Sequence, residues 1–210
     1  MTRTRVKICG FTDAKQAAHA AYAGADAIGL VFFPPSPRNV TINKAQEIVA
    51  ALPPFTSVVA LFVDATEAEI REVLKHVPID LLQFHGNEPA SACRLYAKPY
   101  MKAIRMQSDT NISELSIQYH DAAGLLLDAF HAGAQGGTGQ QFDWDLIPKH
   151  NTIPIILAGG LDEHNASEAI ARVKPYALDV SSGVEVTKGI KDNNKISAFL
   201  NEVYQSDRNN

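Results

Sequence analysis

Residues 6–33 read VKICGFTDAKQAAHAAYAGADAIGLVFF, and this stretch contains the structural unit that decides the fold. Two short and nearly continuous apolar runs, Val6–Cys9 and Ala27–Phe33, flank an amphipathic stretch over Asp13–Ala23. Apolar runs of this length are typical of strands buried on both faces, whereas the spacing between them is typical of a helix. The stretch therefore predicts a strand, a helix and a second strand, which together form the unit of a parallel sheet.

The same unit recurs along the rest of the chain. Six further apolar runs predict strands at Ser57–Val63, Leu81–Phe84, Tyr100–Ile104, Gly124–Leu127, Ile153–Leu157 and Ala177–Val180. Seven further amphipathic stretches predict helices at Asn43–Leu52, Glu67–His76, Glu88–Leu95, Asn111–Tyr119, Phe142–His150, Asp162–Val173 and Asn193–Tyr204. Eight strand–helix units with short connectors and no linker favour a (β/α)8 TIM barrel, an α/β fold that takes residues 1–210 as a single domain. A doubly wound sheet of six strands is the structural alternative.

The sequence also marks the ends of two helices. Thr12 precedes the first helix and is expected to be its N-cap, and Gly24 follows it as a C-terminal stop. Thr66 and Glu69 have the spacing of a capping box at the start of the third helix. Such side chains satisfy backbone groups that a helix end leaves without a partner.

The composition is that of an ordinary globular protein. Of the 210 residues, 46% are hydrophobic and 20% are charged, and 19 basic against 23 acidic residues give a formal net charge of −4. Because there is no basic excess, we expect neither a nucleic acid nor an anionic membrane as a partner. Met1–Arg5 lacks the apolar stretch of a signal peptide, and no apolar run comes near the roughly 20 residues of a membrane span, so we expect neither feature. Cys9 and Cys93 lack metal-ligand spacing, and we expect two reduced thiols in a cytoplasmic protein.

Polar residues collect where the predicted strands end, which in a (β/α)8 barrel is the end that carries the chemistry. Cys9 ends the first strand, Asp128 follows three leucines at the end of the sixth, and His85 follows the fourth. An acid such as Asp128 is expected to be paired or functional, whereas a single strand-end cysteine is more often a small buried hydrophobic residue. His85 fits a catalytic role and a structural hydrogen bond equally well. Arg38 follows a proline-rich segment that would fix its side chain, and its guanidinium suits an anionic substrate group unless it is simply solvated.

Glycine and serine residues in the loops after the seventh and eighth strands predict a phosphate site. Gly159 and Gly160 follow the seventh strand, and Ser182 and Gly183 follow the eighth. Glycine lets backbone N–H groups approach a phosphate closely, and barrels often bind phosphate at this place. The alternative is that these glycines only make tight turns. Gly137, in the glycine-rich loop after the sixth strand, is a further candidate for contact with a substrate.

Lys7 lies two residues before Cys9, and both side chains therefore point to the same side of the first strand. If Cys9 faces the barrel interior, so does Lys7, and a buried lysine needs a partner. Asp179 on the neighbouring eighth strand is the first candidate, and Asp26 is the alternative. A positive charge on Lys7 would favour the thiolate form of Cys9, less so if Asp179 neutralises that charge.

Together these segments resemble the motifs of the phosphoribosylanthranilate isomerase family. In order along the chain they are Lys7-Ile-Cys-Gly10, Gly29-Leu-Val-Phe-Phe-Pro-Pro-Ser-Pro-Arg-Asn-Val40, Leu82-Gln-Phe-His-Gly86, Asp128 with Gly136-Gly-Thr-Gly139 and Phe142-Asp-Trp144, Leu157-Ala-Gly-Gly-Leu161, and Asp179-Val-Ser-Ser-Gly-Val-Glu185. Each motif is moderately specific, whereas the ordered set from the first strand to the eighth is highly specific. Two departures, Phe84 where leucine is common and Ala129 where serine is common, remove no group that the chemistry requires.

The resemblance implies a (β/α)8 barrel that needs no cofactor and no metal. It implies the Amadori rearrangement of N-(5-phospho-β-D-ribosyl)anthranilate to 1-(2-carboxyphenylamino)-1-deoxyribulose 5-phosphate, a step of tryptophan biosynthesis. The family's general base matches Cys9, its general acid matches Asp128, and its arginine for the substrate carboxylate matches Arg38. The partner is then a small phosphorylated sugar–anthranilate substrate, and we expect a monomer rather than a homodimer.

Two other functions fit parts of the pattern. The histidine-pathway phosphoribosyl isomerase resembles this class and also performs an Amadori rearrangement, but it uses two aspartates, and Cys9 stands at the position of the first. A non-catalytic, regulatory phosphate-binding barrel would not need both Cys9 and Asp128. The pattern therefore favours an isomerase that acts on the anthranilate compound.

Overall fold

The computed structural model describes residues 3–129 and 142–209. Within these ranges eight parallel strands pair in chain order, and the last pairs with the first, which closes the barrel. The strands are β1 (Arg5–Cys9), β2 (Ala27–Phe32), β3 (Ser57–Phe62), β4 (Leu81–Phe84), β5 (Tyr100–Met106), β6 (Gly124–Ala129), β7 (Ile155–Leu157) and β8 (Ala177–Val180). The predicted barrel is confirmed, and the alternative of a six-strand sheet is wrong.

Helices connect the strands. In the described ranges they are α1 (Ala14–Tyr22), α2 (Ile42–Ala50), α3 (Glu67–His76), α4 (Ala90–Cys93), α5 (Ile112–Gln118), α6 (Ala166–Val173) and α7 (Asn193–Asn209), with 3₁₀ turns at Arg94–Tyr96, Trp144–Leu146 and Ser182–Val184. A small antiparallel hairpin, β9 (Glu185–Thr187) and β10 (Ile190–Lys191), separates β8 from α7. Across residues 3–129 and 142–209, none of the helices has the length and apolar character that crossing a membrane would require.

Side chains alternate along each strand between the surrounding helices and the barrel interior. In β6, Leu125 and Leu127 belong to the large core between the barrel and the helices, whereas Leu126 packs against Val59 and other residues inside the barrel. Asp128 follows Leu126 by two residues and shares its inward direction. The three consecutive leucines are therefore not one apolar block, and their alternation aims the Asp128 carboxylate into the barrel.

The ends of α1 differ in part from the prediction. The N-cap is Asp13, whose side chain accepts a hydrogen bond from the N–H of Gln16 at 2.9 Å. The predicted N-cap, Thr12, is wrong, because its hydroxyl donates instead to the carbonyl of Gly189 at 2.7 Å and joins the helix start to the β9–β10 hairpin. Gly24 follows the helix with a φ of +112°, a backbone conformation that favours glycine, and its predicted role as the stop is confirmed.

Two other predictions about helices had opposite outcomes. The helix predicted at Phe142–His150 is wrong, because the segment forms only a 3₁₀ turn at Trp144–Leu146. Pro148 cannot continue an α-helix, since it has no backbone N–H and its ring clashes with the preceding turn.

The capping box of α3 is confirmed: the Thr66 N–H donates to the Glu69 carboxylate at 2.7 Å, and the Glu69 N–H donates to the Thr66 hydroxyl at 3.3 Å.

Candidate active site

A cavity of about 490 Å³ lies at the carboxyl ends of the barrel strands. Most of the candidate residues from the sequence line it, namely Cys9, Arg38, His85, Asp128, Gly159, Gly160 and Ser182. Gly183 lies beside the cavity lining rather than in it, and Gly137 lies outside the described residues. In the part of the chain that the structure describes, no cluster of three or more His, Cys, Asp or Glu residues could hold a metal ion.

Cys9 lies at the end of β1 in a small apolar cluster with Val31, Leu61 and Val63, and it is only 5% exposed. Its register partner on β2 is Gly29. A Cβ atom at Gly29 would lie 2.8 Å from Sγ of Cys9, which is closer than van der Waals contact allows. The glycine on β2 therefore makes the room that the thiol occupies.

Lys7 forms a buried ion pair beneath this thiol. Its Nζ donates to both carboxylate oxygens of Asp179, at 2.9 and 3.0 Å, and both side chains are less than a tenth exposed. The rival partner, Asp26, instead accepts hydrogen bonds from the guanidinium of Arg3 and the N–H of Val6. The predicted pair of Lys7 with Asp179 is confirmed.

The ionisation of Cys9 follows from this buried setting. Burial raises the pKa of the Cys9 thiol, and the positive charge of Lys7 lowers it by a smaller amount, partly opposed by the Asp179 carboxylate. Burial by itself would lower the pKa of Lys7, but Asp179 and Cys9 together raise it, so the lysine stays protonated. Cys9 is therefore mainly a thiol at neutral pH, and Lys7 stabilises the minor thiolate form.

Asp128 and His85 approach each other from β6 and from the end of β4. Nε2 of His85 lies 3.2 Å from Oδ2 of Asp128, although the two groups are not aligned for a hydrogen bond. Oδ1 of Asp128 accepts a hydrogen bond from the N–H of Ala129 at 2.9 Å. Nδ1 of His85 is hydrogen-bonded to Nε2 of Gln83 at 3.0 Å. The carboxyl is thus buried beside an imidazole that is itself held in place.

Arg38 is fixed by Glu185 of β9. Its Nε and Nη2 donate to the two oxygens of the Glu185 carboxylate at 2.7 and 2.8 Å, and Nζ of Lys191 donates to the same carboxylate at 2.9 Å. Burial would raise the pKa of Glu185, but Arg38 and Lys191 together lower it, so the carboxylate stays ionised. Gly10 allows this packing, since a Cβ there would lie 2.4 Å from Cδ of Arg38. Arg38 is therefore a buried, oriented cation in the cavity wall and not a solvated surface residue.

The loops that follow β7 and β8 meet beside the cavity. A Cβ at Gly183 would lie 1.9 Å from the carbonyl oxygen of Leu161, so only glycine permits this approach. Gly159 and Gly160 have φ values of +83° and +66°, which also favour glycine. Within the described residues, the backbone N–H groups of these three glycines and of Ser182 donate no hydrogen bond. Unpaired N–H groups on two adjoining loops are suited to an anion.

Sequence reasoning gave no role to three buried polar residues of this site, Gln83, Glu185 and Lys191. Gln83 and Glu185 lie within the quoted motifs, but no spacing rule indicates which side chains they contact. A signal did exist for Gln83, because it lies two residues before His85 and therefore shares its face of the strand. Lys191 lies on a hairpin strand of two residues, which carries no recognisable periodicity.

Comparison with known proteins supports the same interpretation. A sequence profile described as N-(5'phosphoribosyl)anthranilate (PRA) isomerase matches residues 6–202. A relative named N-(5'-phosphoribosyl)anthranilate isomerase from Pseudomonas fluorescens (strain Pf0-1) is 53% identical over 203 residues, which are 97% of this chain and 100% of the relative. A relative of the same name from Azotobacter vinelandii is 52% identical over 203 residues, covering 97% and 98% of the two chains.

Solved structures give the same result for the fold. The crystal structure of phosphoribosyl anthranilate isomerase from Thermotoga maritima has a TM-score of 0.88 at 34% identity and covers 96% of this chain and 99% of its own. A phosphoribosyl anthranilate isomerase in complex with reduced 1-(o-carboxyphenylamino)-1-deoxyribulose 5-phosphate has a TM-score of 0.85 at 35% identity, with the same coverage. From the profile, the relatives and the shared barrel, we conclude that the chain belongs to the N-(5'-phosphoribosyl)anthranilate isomerase family, whose enzymes perform an isomerisation in tryptophan biosynthesis.

Proposed function

We propose that this cavity converts N-(5-phospho-β-D-ribosyl)anthranilate to 1-(2-carboxyphenylamino)-1-deoxyribulose 5-phosphate with Asp128 as general acid and Cys9 as general base. The observation that carries the proposal is that both residues line one cavity, Cys9 from β1 and Asp128 from β6. The cavity volume, about 490 Å³, lies in the range of small-molecule sites. Its walls supply a separate group for each end of the substrate.

In the first step the furanose ring opens. The anthranilate nitrogen pushes its lone pair toward C1′, the bond from C1′ to the ring oxygen breaks, and that oxygen leaves with a developing negative charge. Asp128 in its protonated form donates a proton to this oxygen, which gives a hydroxyl, a protonated Schiff base and the Asp128 carboxylate. Its fixed place between the Ala129 N–H and the His85 ring orients the carboxyl toward the cavity.

In the second step Cys9, as thiolate, removes the proton from C2′ of the Schiff base. The electron pair of the broken C–H bond forms the C1′–C2′ double bond while the electron pair of the C1′=N double bond moves to the protonated nitrogen, which gives a neutral enolamine. The enolamine then gains a proton at C1′ and loses the proton of its 2′ hydroxyl to give the ketone. Because burial raises the pKa of Cys9, the thiolate is a minor form at neutral pH and also a stronger base once it forms. Lys7 provides the positive charge that stabilises it.

The two anionic ends of the substrate have candidate partners on different walls. The phosphate would accept hydrogen bonds from the N–H groups of Gly160, Ser182 and Gly183, where the loops after β7 and β8 meet. The carboxylate of the anthranilate would pair with Arg38. Since Nε and one N–H of Nη2 donate to Glu185, the Nη1 group and the second N–H of Nη2 are the donors left for the substrate. This arrangement holds the sugar between the acid and the base.

We also propose that the enzyme acts as a monomer in the cytoplasm. Each residue assigned a role above comes from one chain, and both cysteines are free and buried, which suits a reducing compartment. A monomeric mass in light scattering at micromolar concentration would support the first point, and a dimeric mass would contradict it. The assigned roles of Cys9 and Asp128 do not depend on this outcome.

The experiment that tests the proposal compares two buried cysteines. Cys9→Ala should lower kcat by at least about 10²-fold, while affinity for the reduced product analogue stays nearly unchanged, because a general base acts mainly in the transition state. Cys93→Ala is the matched control, since Cys93 is equally buried but does not line the cavity. A fluorescence assay of substrate consumption measures both variants. Near-normal turnover by Cys9→Ala would remove the thiol from the mechanism.

A further inference from the structure

We propose that Gln83 binds a hydroxyl group of the substrate's ribose, through the end of its amide that does not contact His85. The inference rests on the proposed binding of a phosphorylated pentose in this cavity and adds a residue to which neither the sequence motifs nor the catalytic roles above give a function. It concerns the part of the cavity wall that β4 forms.

The position of Gln83 points to a ligand. Its side chain is fully buried, at 0% exposure, yet it lines the cavity. Three buried side-chain polar atoms in the described ranges lack a hydrogen-bond partner, and two of them, Oε1 of Gln83 and Nε2 of His85, lie in this site. A buried amide oxygen without a partner is costly, by about 1–3 kcal/mol, unless another group supplies the hydrogen bond. The substrate is the group that enters this cavity.

The other end of the amide is already engaged. Nε2 of Gln83 bonds to Nδ1 of His85 at 3.0 Å, and Nε2 of His85 faces Oδ2 of Asp128 at 3.2 Å. An amide nitrogen can only donate, so Nδ1 of His85 accepts this hydrogen bond. The end of Gln83 that is left without a partner is its oxygen, which is a hydrogen-bond acceptor.

A hydroxyl is the substrate group that fits this oxygen, because it can donate a hydrogen bond. The ionised phosphate and carboxylate only accept hydrogen bonds and would meet the amide oxygen unfavourably. They also have partners elsewhere in the cavity. The ribose hydroxyls remain, and they lie between the two anionic ends of the substrate. Gln83 thus contacts the sugar and connects it, through His85, to the acid Asp128.

The experiment measures binding of the reduced product analogue by calorimetry, together with three versions of it that lack the 2′, 3′ or 4′ hydroxyl. For the wild-type protein we expect one deoxy analogue to bind roughly tenfold more weakly than the complete one. Gln83→Met keeps the length of the side chain but removes both polar ends. It should bind the complete analogue roughly tenfold more weakly and should no longer discriminate against that deoxy analogue.

Gln46→Met is the control, because the Gln46 side chain donates a hydrogen bond to the His76 carbonyl on the outside of the barrel. This variant should bind all four compounds as the wild type does. Unchanged affinity in Gln83→Met, or full discrimination in that variant, would overturn the proposal. So would equal binding of all three deoxy analogues and the complete analogue by the wild type, a result that needs no folded variant. Failure of the wild type to bind the complete analogue would instead contradict the proposed function.

Discussion

Glu185 holds two cations in a buried space, and its neutralisation should destabilise the fold as well as loosen Arg38. The side chains of Glu185, Arg38 and Lys191 are 4%, 10% and 0% exposed, and each of the two cations lies within hydrogen-bond distance of the Glu185 carboxylate. Removing one partner of such a buried pair typically costs about 3–5 kcal/mol, because the remaining charge loses its compensation. Glu185→Gln keeps the shape and one hydrogen-bond acceptor, which places the expected loss near the lower end, at about 3 kcal/mol.

Thermal unfolding measures this loss. For a chain of this size, about 3 kcal/mol corresponds to a fall in Tm of about 6–12 °C. Glu67→Gln is the matched control, since its ion pair with Arg71 is more than half exposed and should contribute about 0.3–0.5 kcal/mol. Adding Lys191→Met to Glu185→Gln should recover part of the loss, because it removes one uncompensated cation. If Glu185→Gln melts within about 2 °C of the wild type, the reasoning about this cluster is refuted.

The same pair of proteins should differ in the pH dependence of their stability. The pKa of Glu185 is lowered from its ordinary 4.5 by Arg38 and Lys191, which outweigh its burial. A carboxyl group whose pKa is lowered by folding stabilises the folded state fully above its unfolded-state pKa. This stabilisation is lost as the pH falls through the folded-state pKa. The gap in Tm between wild type and Glu185→Gln should therefore be constant near neutral pH and should narrow below about pH 4.5. If the difference in Tm between the two proteins widens as the pH falls, the lowered pKa of Glu185 is contradicted.

Two further predictions concern the anionic ends of the substrate. Arg38→Ala should raise KM by about 10- to 150-fold, the equivalent of 1.5–3 kcal/mol for a charged hydrogen bond, with a smaller change in kcat; an unchanged KM would show that Arg38 does not bind the carboxylate. A crystal soaked with the reduced product analogue should show its phosphate within hydrogen-bond distance of the Gly160, Ser182 and Gly183 N–H groups, and a phosphate bound elsewhere would refute that site.

The sequence predicted the barrel because short apolar runs, typical of strands buried on both faces, alternate with amphipathic stretches from one end of the chain to the other. Short apolar runs such as Val6–Cys9 and Leu81–Phe84 match observed strands within about one residue. The same periodicity failed at Phe142–His150, where the local chemistry of Pro148 outweighs an amphipathic spacing. Hydrophobic periodicity therefore predicts where strands and helices lie, whereas single residues such as Pro148 decide whether a short helix forms.

The candidate site could be predicted only in part. Strand-end positions were enough to bring Cys9 and Asp128 to one cavity, and the alternation of side chains along β1 was enough to place Lys7 beside Asp179. The partner of Arg38 could not be predicted, because Glu185 reaches it across 147 residues of sequence through a hairpin too short to show a pattern. Contacts of this kind depend on the closure of the barrel and on loop geometry, which no local signal contains.

The opposite protonation requirements of Asp128 and Cys9 give the most direct test of the central claim. Because the acid must be protonated and the base ionised, kcat/KM should follow a bell-shaped curve against pH. Asp128→Asn keeps the shape of the side chain but cannot donate the proton that ring opening needs, so kcat and kcat/KM should both fall by about 10²-fold or more. Measured across pH, the residual activity of Asp128→Asn should have lost one limb of the bell. A variant that keeps both limbs and most of its activity would show that another group, with His85 the first candidate, protonates the ring oxygen.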